Sequence, residues 1–495
     1  MLKKAIDLLT PNYGVLKDRT VLFIFFLTAL FIRLPFFFRD YIDRDESTFI
    51  IMGQAWVDGY LPYLELWDLK PPVTFLYFAC IIYAFGKSFI AIRFFGTMLV
   101  VGTAFFTYRI GNRITSRKIA FWAGFSCVLL QSMFGSLQGV MSEHICIFFF
   151  TMALYLFLSR DIWYWYLFSG MLMGFSLMSK LNMAYPIFLL GIFTLYHSYR
   201  KERFLFGMKK MAIVGFGILV VIFATAVPYY IQGETGVWRE SIFKAPLAYS
   251  SSKGNSVLKV LPFALFIAFA IILMIWKKLI ALKNKDMRLL LVLVAAIVLS
   301  FLQTGRVNGH YMIQLYPFLV IPLAIAISKI AVFKRINYAS FVLLVSLVLP
   351  LETYQEYTNI LHQKMESGSF FNGEGIEVPR YIIENSLETK NIFFTEYHIG
   401  YWVLGVHPPT KAVTHPSSIA RDGLFPFMQN PRETSMEELR YILEEIKPEI
   451  IVARKNKRIF GKKFVELNEY IDAYLSTHYT LLKTVDKGLI YQRQE

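Results

Sequence analysis

The chain has 495 residues, 56% hydrophobic and 17% aromatic, with a mean hydropathy of +0.48 and a formal net charge of +16. That apolar content excludes an ordinary soluble protein of this size. The basic excess does not point to nucleic acid, because no basic stripe with interleaved aromatics stands outside the apolar runs.

Apolar runs of roughly 17–22 residues recur along the chain, long enough to cross a hydrocarbon core of about 30 Å. They predict a polytopic α-helical membrane protein, since a closed barrel would show short alternating segments instead. Spans are expected near 20–38, 90–108, 119–137, 143–158, 163–179, 182–198, 211–231, 257–276, 288–303, 311–328 and 336–350, eleven in all. Lys3, Lys4, Lys17 and Arg19 precede the first run and no small-residue cleavage site follows it, so it reads as a retained helix. Cys80, Cys127 and Cys146 lie in apolar segments and form neither a disulfide framework nor a zinc motif.

Between the first two spans comes the first long polar break, residues 39–72. It sets Asp40, Asp43, Asp45, Glu46, Asp58, Glu65 and Asp68 against Arg39, Arg44 and Lys70. Ser47–Trp56 predicts a short amphipathic helix at the membrane interface, with Asp45 at its start, before Gly59 and Pro62 turn the chain. The next apolar segment, 73–86, is short and begins at a proline pair, which suits a re-entrant or interfacial helix.

Loop charge orients the spans. Arg109/Arg113/Arg117/Lys118, Arg200/Lys201/Arg203/Lys209/Lys210, Lys277/Lys278/Lys283/Lys285/Arg288 and Lys329/Lys334/Arg335 fall on one side. The opposite side is acidic or sparsely charged. The positive-inside rule therefore places the 39–72 loop, the 232–256 loop and the C-terminus on the outer face. After about Leu351 the composition turns soluble. Residues 1–350 read as the membrane domain and 351–495 as an extracytoplasmic α/β domain. Its strands are expected at 391–397 and 449–453 and in a hairpin of 479–485 with 489–492; its helices at 378–386, 435–446 and 462–475, the second opened by a capping box Ser435-x-x-Glu438.

Three groups of residues could carry chemistry. Asp43-Arg44-Asp45-Glu46 would ordinarily be a solvated loop, but a carboxylate held against apolar surface is pushed toward the range of a general base. Asp43-x-Asp45 also has the spacing of a divalent-metal pair without a third ligand. In Asp68-Leu69-Lys70-Pro71-Pro72 the prolines force an extended approach to the next helix and fix Lys70 at the bilayer edge, either as a snorkelling anchor or as a partner for a lipid phosphate. Ionisable residues at the outer ends of later spans form the third group: Glu143 with His144, Lys180, and Arg306 with His310 and Tyr311. The last three place a guanidinium and an imidazole one short turn apart, an anion clamp.

The order Asp45-Glu46, Gly59, Asp68-Leu69-Lys70-Pro71-Pro72, Phe85-Gly86, Arg93, then Lys180 and Arg306–Pro317, resembles the bacterial protein-mannosyltransferase/aminoarabinose-transferase superfamily, the GT-C integral-membrane glycosyltransferases. The resemblance runs through about residues 20–350. It implies a sugar donor linked to a polyprenyl phosphate, used on the outer face of a bacterial cytoplasmic membrane, with a lipid, glycan or protein as acceptor. It implies an inverting displacement with Asp45 as general base and Glu46 in support. Lys70 and Arg306 would bind the departing phosphate, assisted by His310. Many relatives carry an acidic residue directly before the lysine; here Leu69 stands there and Asp68 one step further back. The competing reading is a transporter or flippase of lipid-linked glycans, which predicts internal pseudo-symmetry and helices broken near the midplane. The sequence shows neither, and its ionisable residues gather at one face.

Overall fold

The computed structural model describes residues 15–250, 256–305, 307–330, 346–389 and 391–494. Ten of the expected spans fall on helices, and the one at 336–350 lies largely outside the described residues. Among the described residues, seven helical segments are long and apolar enough to cross a membrane: Asp18–Phe38, Phe89–Ile114, Ser142–Ser159, Phe204–Ile231, Val257–Trp276, Lys285–Thr304 and Gly309–Lys329. Helices Arg117–Leu130, Trp163–Leu177 and Ala184–Tyr199 are shorter than hydropathy predicts. The apolar run to 137 reads through Gln131-Ser132, where the helix stops, and through Gly135 with its φ of +48°.

The chain packs as two compact units, Met1–Phe36 with Arg93–Thr225 and Lys253–Glu356, and Phe37–Ile92 with Ala226–Ser252 and Tyr357–Glu495. In the first, helix Arg117–Leu130 is buried continuously from Ala120 to Phe125 and joins the cores of Ser142–Ser159, Lys285–Thr304 and Met312–Lys329. The chain after it holds only a short 3-10 turn, Gly135–Gln138, and leaves buried backbone carbonyls that need donors. Arg33, fully buried, answers them: its guanidinium donates to the carbonyls of Leu137 at 2.5 Å and Gly139 at 2.7 Å. Helices Trp163–Leu177 and Phe204–Ile231 cross through small residues. A Cβ on Gly170 would stand 2.2 Å from the Val214 carbonyl oxygen, and one on Gly217 would stand 2.6 Å from that of Leu167.

In the second unit, helix Arg44–Val57 lies along helix Pro72–Phe85, the short apolar segment expected from the proline pair. Gly53 permits the approach, since a Cβ there would meet that of Phe78 at 2.7 Å. Phe49 packs on Phe75 and Phe78 with ring centroids 6.2 and 5.9 Å away. The amphipathic helix expected over Ser47–Trp56 forms, but its burial is a correction: Glu46 through Gly53 are all covered by protein. The supposed polar face is absorbed by pairing, with the Thr48 hydroxyl 2.9 Å from His398 Nε2.

The C-terminal residues of this unit carry a four-stranded sheet in the order β1-β2-β4-β3, with β1 Ile392–Phe394, β2 Ile450–Arg454, β3 Tyr479–Val485 and β4 Gly488–Arg493. β1 and β2 run parallel and the other pairs antiparallel; β3 and β4 form the expected hairpin. Phe393 and Ile451 face a core built with Leu439, Ile442, Leu443 and Ile471 of the helices that follow β1 and β2. The capping box sits one residue earlier than expected. Thr434 is the cap with Glu437 as its partner, because the Ser435 N–H is taken by the Asp422 carboxylate at 2.8 Å.

Candidate active site

Asp43 has extended backbone and caps helix Arg44–Val57, its Oδ1 accepting the Asp45 N–H at 2.8 Å. Asp45 and Glu46 thus occupy the first turn, where the helix favours negative charge. Their surroundings differ. Glu46 is buried, whereas Asp45 keeps 25% of its side chain exposed. Arg44 pairs with Glu396, which also meets Lys457 at 2.9 Å and Arg454 at 3.8 Å. The acidic run is thereby sorted into a cap, a buried carboxylate and one accessible carboxylate.

Lys70 reaches that carboxylate because its backbone is held at both ends. Gly59 and Tyr63 take positive φ and fold the segment back. The Tyr63 hydroxyl donates to the Lys70 carbonyl at 2.6 Å, and the Lys70 N–H donates to Asp68 Oδ2 at 3.3 Å. Pro71 then leads extended into a helix whose first residue is Pro72. The result is a Lys70 Nζ to Asp45 Oδ2 distance of 3.1 Å, with the ammonium also 5.4 Å from the Phe49 ring centroid. Asp68 therefore serves the backbone of Lys70.

The other oxygen of Asp45 meets His415, whose Nε2 lies 3.3 Å from Oδ1. This residue belongs to the C-terminal part and was not among the sequence candidates. Its loop is pinned where it matters, since the Trp67 N–H donates to Thr414 Oγ1 at 3.3 Å and the Trp67 indole donates to Ser241 at 3.1 Å. A second imidazole, His398, is fully buried 6.1 Å from the His415 ring. Burial, and then the neighbouring His415, push His398 well below the ordinary histidine value. The local sequence signal for His415 was the turn-forming His415-Pro416-Ser417-Ser418.

Within the first unit the structure gathers Glu143, Lys180, His310 and Tyr311. Glu143 is buried and paired with Lys180, accepts from the Ser142 hydroxyl at 3.0 Å, and stands 3.7 Å from His310 Nε2. The Lys180 ammonium sits 4.5 Å from the Tyr311 ring centroid. His144 turns elsewhere, to the Gln131 carbonyl at 3.1 Å. Arg306 lies outside the described residues. Among the described residues no group of three or more His, Cys, Asp or Glu is placed to hold a metal; at the Asp43/Asp45 pair one carboxylate caps the helix and the other meets an ammonium.

A family model described as dolichyl-phosphate-mannose-protein mannosyltransferase matches residues 69–230, less than half of the chain. No curated protein matches the chain by sequence. Among solved structures, ArnT from Cupriavidus metallidurans bound to undecaprenyl phosphate superposes with a TM-score of 0.61 at 12% identity, covering 94% of this chain and 97% of that one. Its apo state gives 0.63 at 11% identity, covering 96% and 98%. The oligosaccharyltransferase of Archaeoglobus fulgidus tethered with an acceptor peptide gives 0.52 at 12% identity, covering 97% of this chain and 74% of that one. The chain is thus a multi-pass membrane protein with the fold of ArnT and a small C-terminal sheet, similar over residues 69–230 to the mannosyltransferase family model.

Proposed function

From a chain of PMT/ArnT-like fold with a carboxylate and an ammonium in direct contact, we propose a glycosyltransferase that uses a polyprenyl-phosphate-linked sugar. The acceptor is a hydroxyl of a cell-envelope lipid, glycan or protein, and the reaction runs on the outer face of a bacterial cytoplasmic membrane. The observation that carries this reading is the Asp45–Lys70 pair at 3.1 Å, on a carboxylate that stays accessible. Asp45 takes the proton from the acceptor hydroxyl as its oxygen attacks the anomeric carbon. The bond from that carbon to the phosphate oxygen breaks, and its electron pair leaves with the polyprenyl phosphate. A single displacement of this kind inverts the anomeric centre. Lys70 has three N–H donors, so it can keep one on Asp45 while another meets the phosphate. A fixed cation is then in place where negative charge grows. The loop charge pattern and the mannosyltransferase match support the outer-face, lipid-linked assignment.

The test uses radiolabelled polyprenyl-phosphate mannose, with envelope membranes supplying the acceptor. Asp45→Asn keeps the shape of the side chain and removes the base. Transfer is expected to fall by about 10²–10⁴-fold, the usual worth of general-base catalysis, while donor binding persists. Normal transfer by Asp45→Asn would remove the assignment.

A further inference from the structure

We propose that His415 is a positioning residue for Asp45: a neutral imidazole protonated on Nε2, which donates to Asp45 Oδ1 and fixes the plane of the carboxylate. The role rests on the glycosyltransferase reading, but the geometry beneath it stands by itself. The Ser417 backbone N–H lies on His415 Nδ1 at 3.2 Å. A backbone N–H only donates, so Nδ1 accepts and the ring proton belongs on Nε2. The Ser417 hydroxyl, 2.9 Å from the same nitrogen, adds a second donor there. Nε2 then points its N–H at Asp45 Oδ1, 3.3 Å away.

The backbone makes this arrangement stiff. Pro416 follows His415 and sets the second position of a turn closed by the Ser418 N–H on the His415 carbonyl at 2.8 Å. Thr414, just before, is tied to the Trp67 N–H. The segment carrying the imidazole and the segment carrying Lys70 are therefore bonded to each other three residues from the ammonium. Asp45 receives Lys70 on Oδ2 and His415 on Oδ1, so neither rotation about the carboxylate axis nor withdrawal is free. With its proton already directed at Asp45, Nε2 does not take the acceptor's proton; its part is orientation and stabilisation of the anion.

Among the described residues, the charged and titratable groups at Asp45 include Lys70 and His415 on its two oxygens, Asp43, which caps its backbone N–H, and His398, which feels its charge. A hydrogen bond to the charged form of a carboxylate favours that form. Its removal moves the acid limb of the pH–rate profile toward higher pH.

The experiment compares His415→Ala, His415→Gln and Ser417→Ala in the full-length protein. His415→Ala is expected to lower kcat by about tenfold or more and to raise the acid limb by about one pH unit, the worth of one hydrogen bond to a charged group. Donor KM should stay within about twofold, because Lys70 is untouched. His415→Gln places an amide N–H₂ where Nε2 stood and should recover most of both changes. Ser417→Ala keeps the backbone N–H on Nδ1 but loses the hydroxyl donor, so its kcat should fall between those of the parent and His415→Ala. A second readout does not depend on turnover. Magic-angle-spinning NMR of ¹⁵N-histidine protein, with His415 assigned among eight histidines by its loss in His415→Gln, should show Nε2 protonated and that resonance moved by Asp45→Asn. A bare Nε2, or a His415→Ala profile superimposable on the parent's, overturns the proposal. If the parent transfers no sugar, the glycosyltransferase reading falls, and the spectrum still decides the His415 contact.

Discussion

Replacing Lys70 by alanine removes the ammonium that meets the accessible carboxylate of Asp45, and two consequences separate. At 3.1 Å, a unit-charge pair is worth about 1.3 kcal/mol in bulk water and about 5 kcal/mol at an effective dielectric near 20. Side-chain exposures of 23% for Lys70 and 25% for Asp45 bring solvent screening into the pair and place it toward the lower end. A loss of about 1.4–2 kcal/mol shifts the acid limb of the rate profile up by roughly one to one and a half pH units. The second consequence is at the leaving group. A preorganised donor aimed at developing charge is worth about 10²–10³-fold in rate. Lys70→Ala should therefore lose that factor even on the pH plateau, where Asp45 is ionised. Steady-state transfer from polyprenyl-phosphate mannose, measured from about pH 5 to 9, reads both effects. Lys70→Arg should recover only part of the plateau, since the guanidinium is bulkier and the backbone of residue 70 is held by Tyr63 and Asp68. A Lys70→Ala enzyme within threefold of the parent at every pH would refute the reasoning.

Two further outcomes follow from packing and burial. Gly170→Val should prevent the close crossing of helices Trp163–Leu177 and Phe204–Ile231, where even a Cβ would stand 2.2 Å from the Val214 carbonyl oxygen; a lower Tm in detergent and poor membrane yield are the expected readouts, whereas Gly215→Ala, where a Cβ meets nothing within 4 Å, should be tolerated. His398 is held well below its ordinary value of 6.5 by burial. The unfolded chain accepts a proton near pH 6.5 that the folded unit refuses, so this group's contribution is complete above that pH and declines as the pH falls below it. The slope is about 1.4 kcal/mol per pH unit until the folded value is reached. Denaturant titrations at several pH values should show that His398→Gln flattens this slope relative to the parent, and an unchanged slope would contradict the linkage.

Much of the architecture was legible because it follows from short-range constraints. A chain in hydrocarbon must satisfy its own backbone, so apolar runs of sufficient length become helices. Ten of the expected spans are helical for that reason. Pro71-Pro72 announced the start of the short helix Pro72–Phe85, and the close spacing of 479–485 and 489–492 announced the hairpin of β3 and β4. Where the reading slipped, a longer-range partner had intervened. The amphipathic pattern of Ser47–Trp56 predicts a helix at the membrane interface, yet Thr48 on its polar side meets His398, 350 positions away. The capping box shifted to Thr434 because Asp422 captures Ser435.

By itself, then, the order of residues determined a multi-span membrane protein with a polar, carboxylate-rich segment after its first helix and an α/β tail. Hydropathy, proline geometry and loop charge act over a few residues and leave their mark in composition. Tertiary structure alone decided which of seven acids in residues 39–72 stands accessible with an ammonium on one oxygen and an imidazole on the other. Asp45 and Lys70 are 25 positions apart, and Asp45 and His415 are separated by 370. Charges in a polar segment are interchangeable to any local rule, because Coulomb attraction depends on distance in space, and only the packed backbone sets that distance.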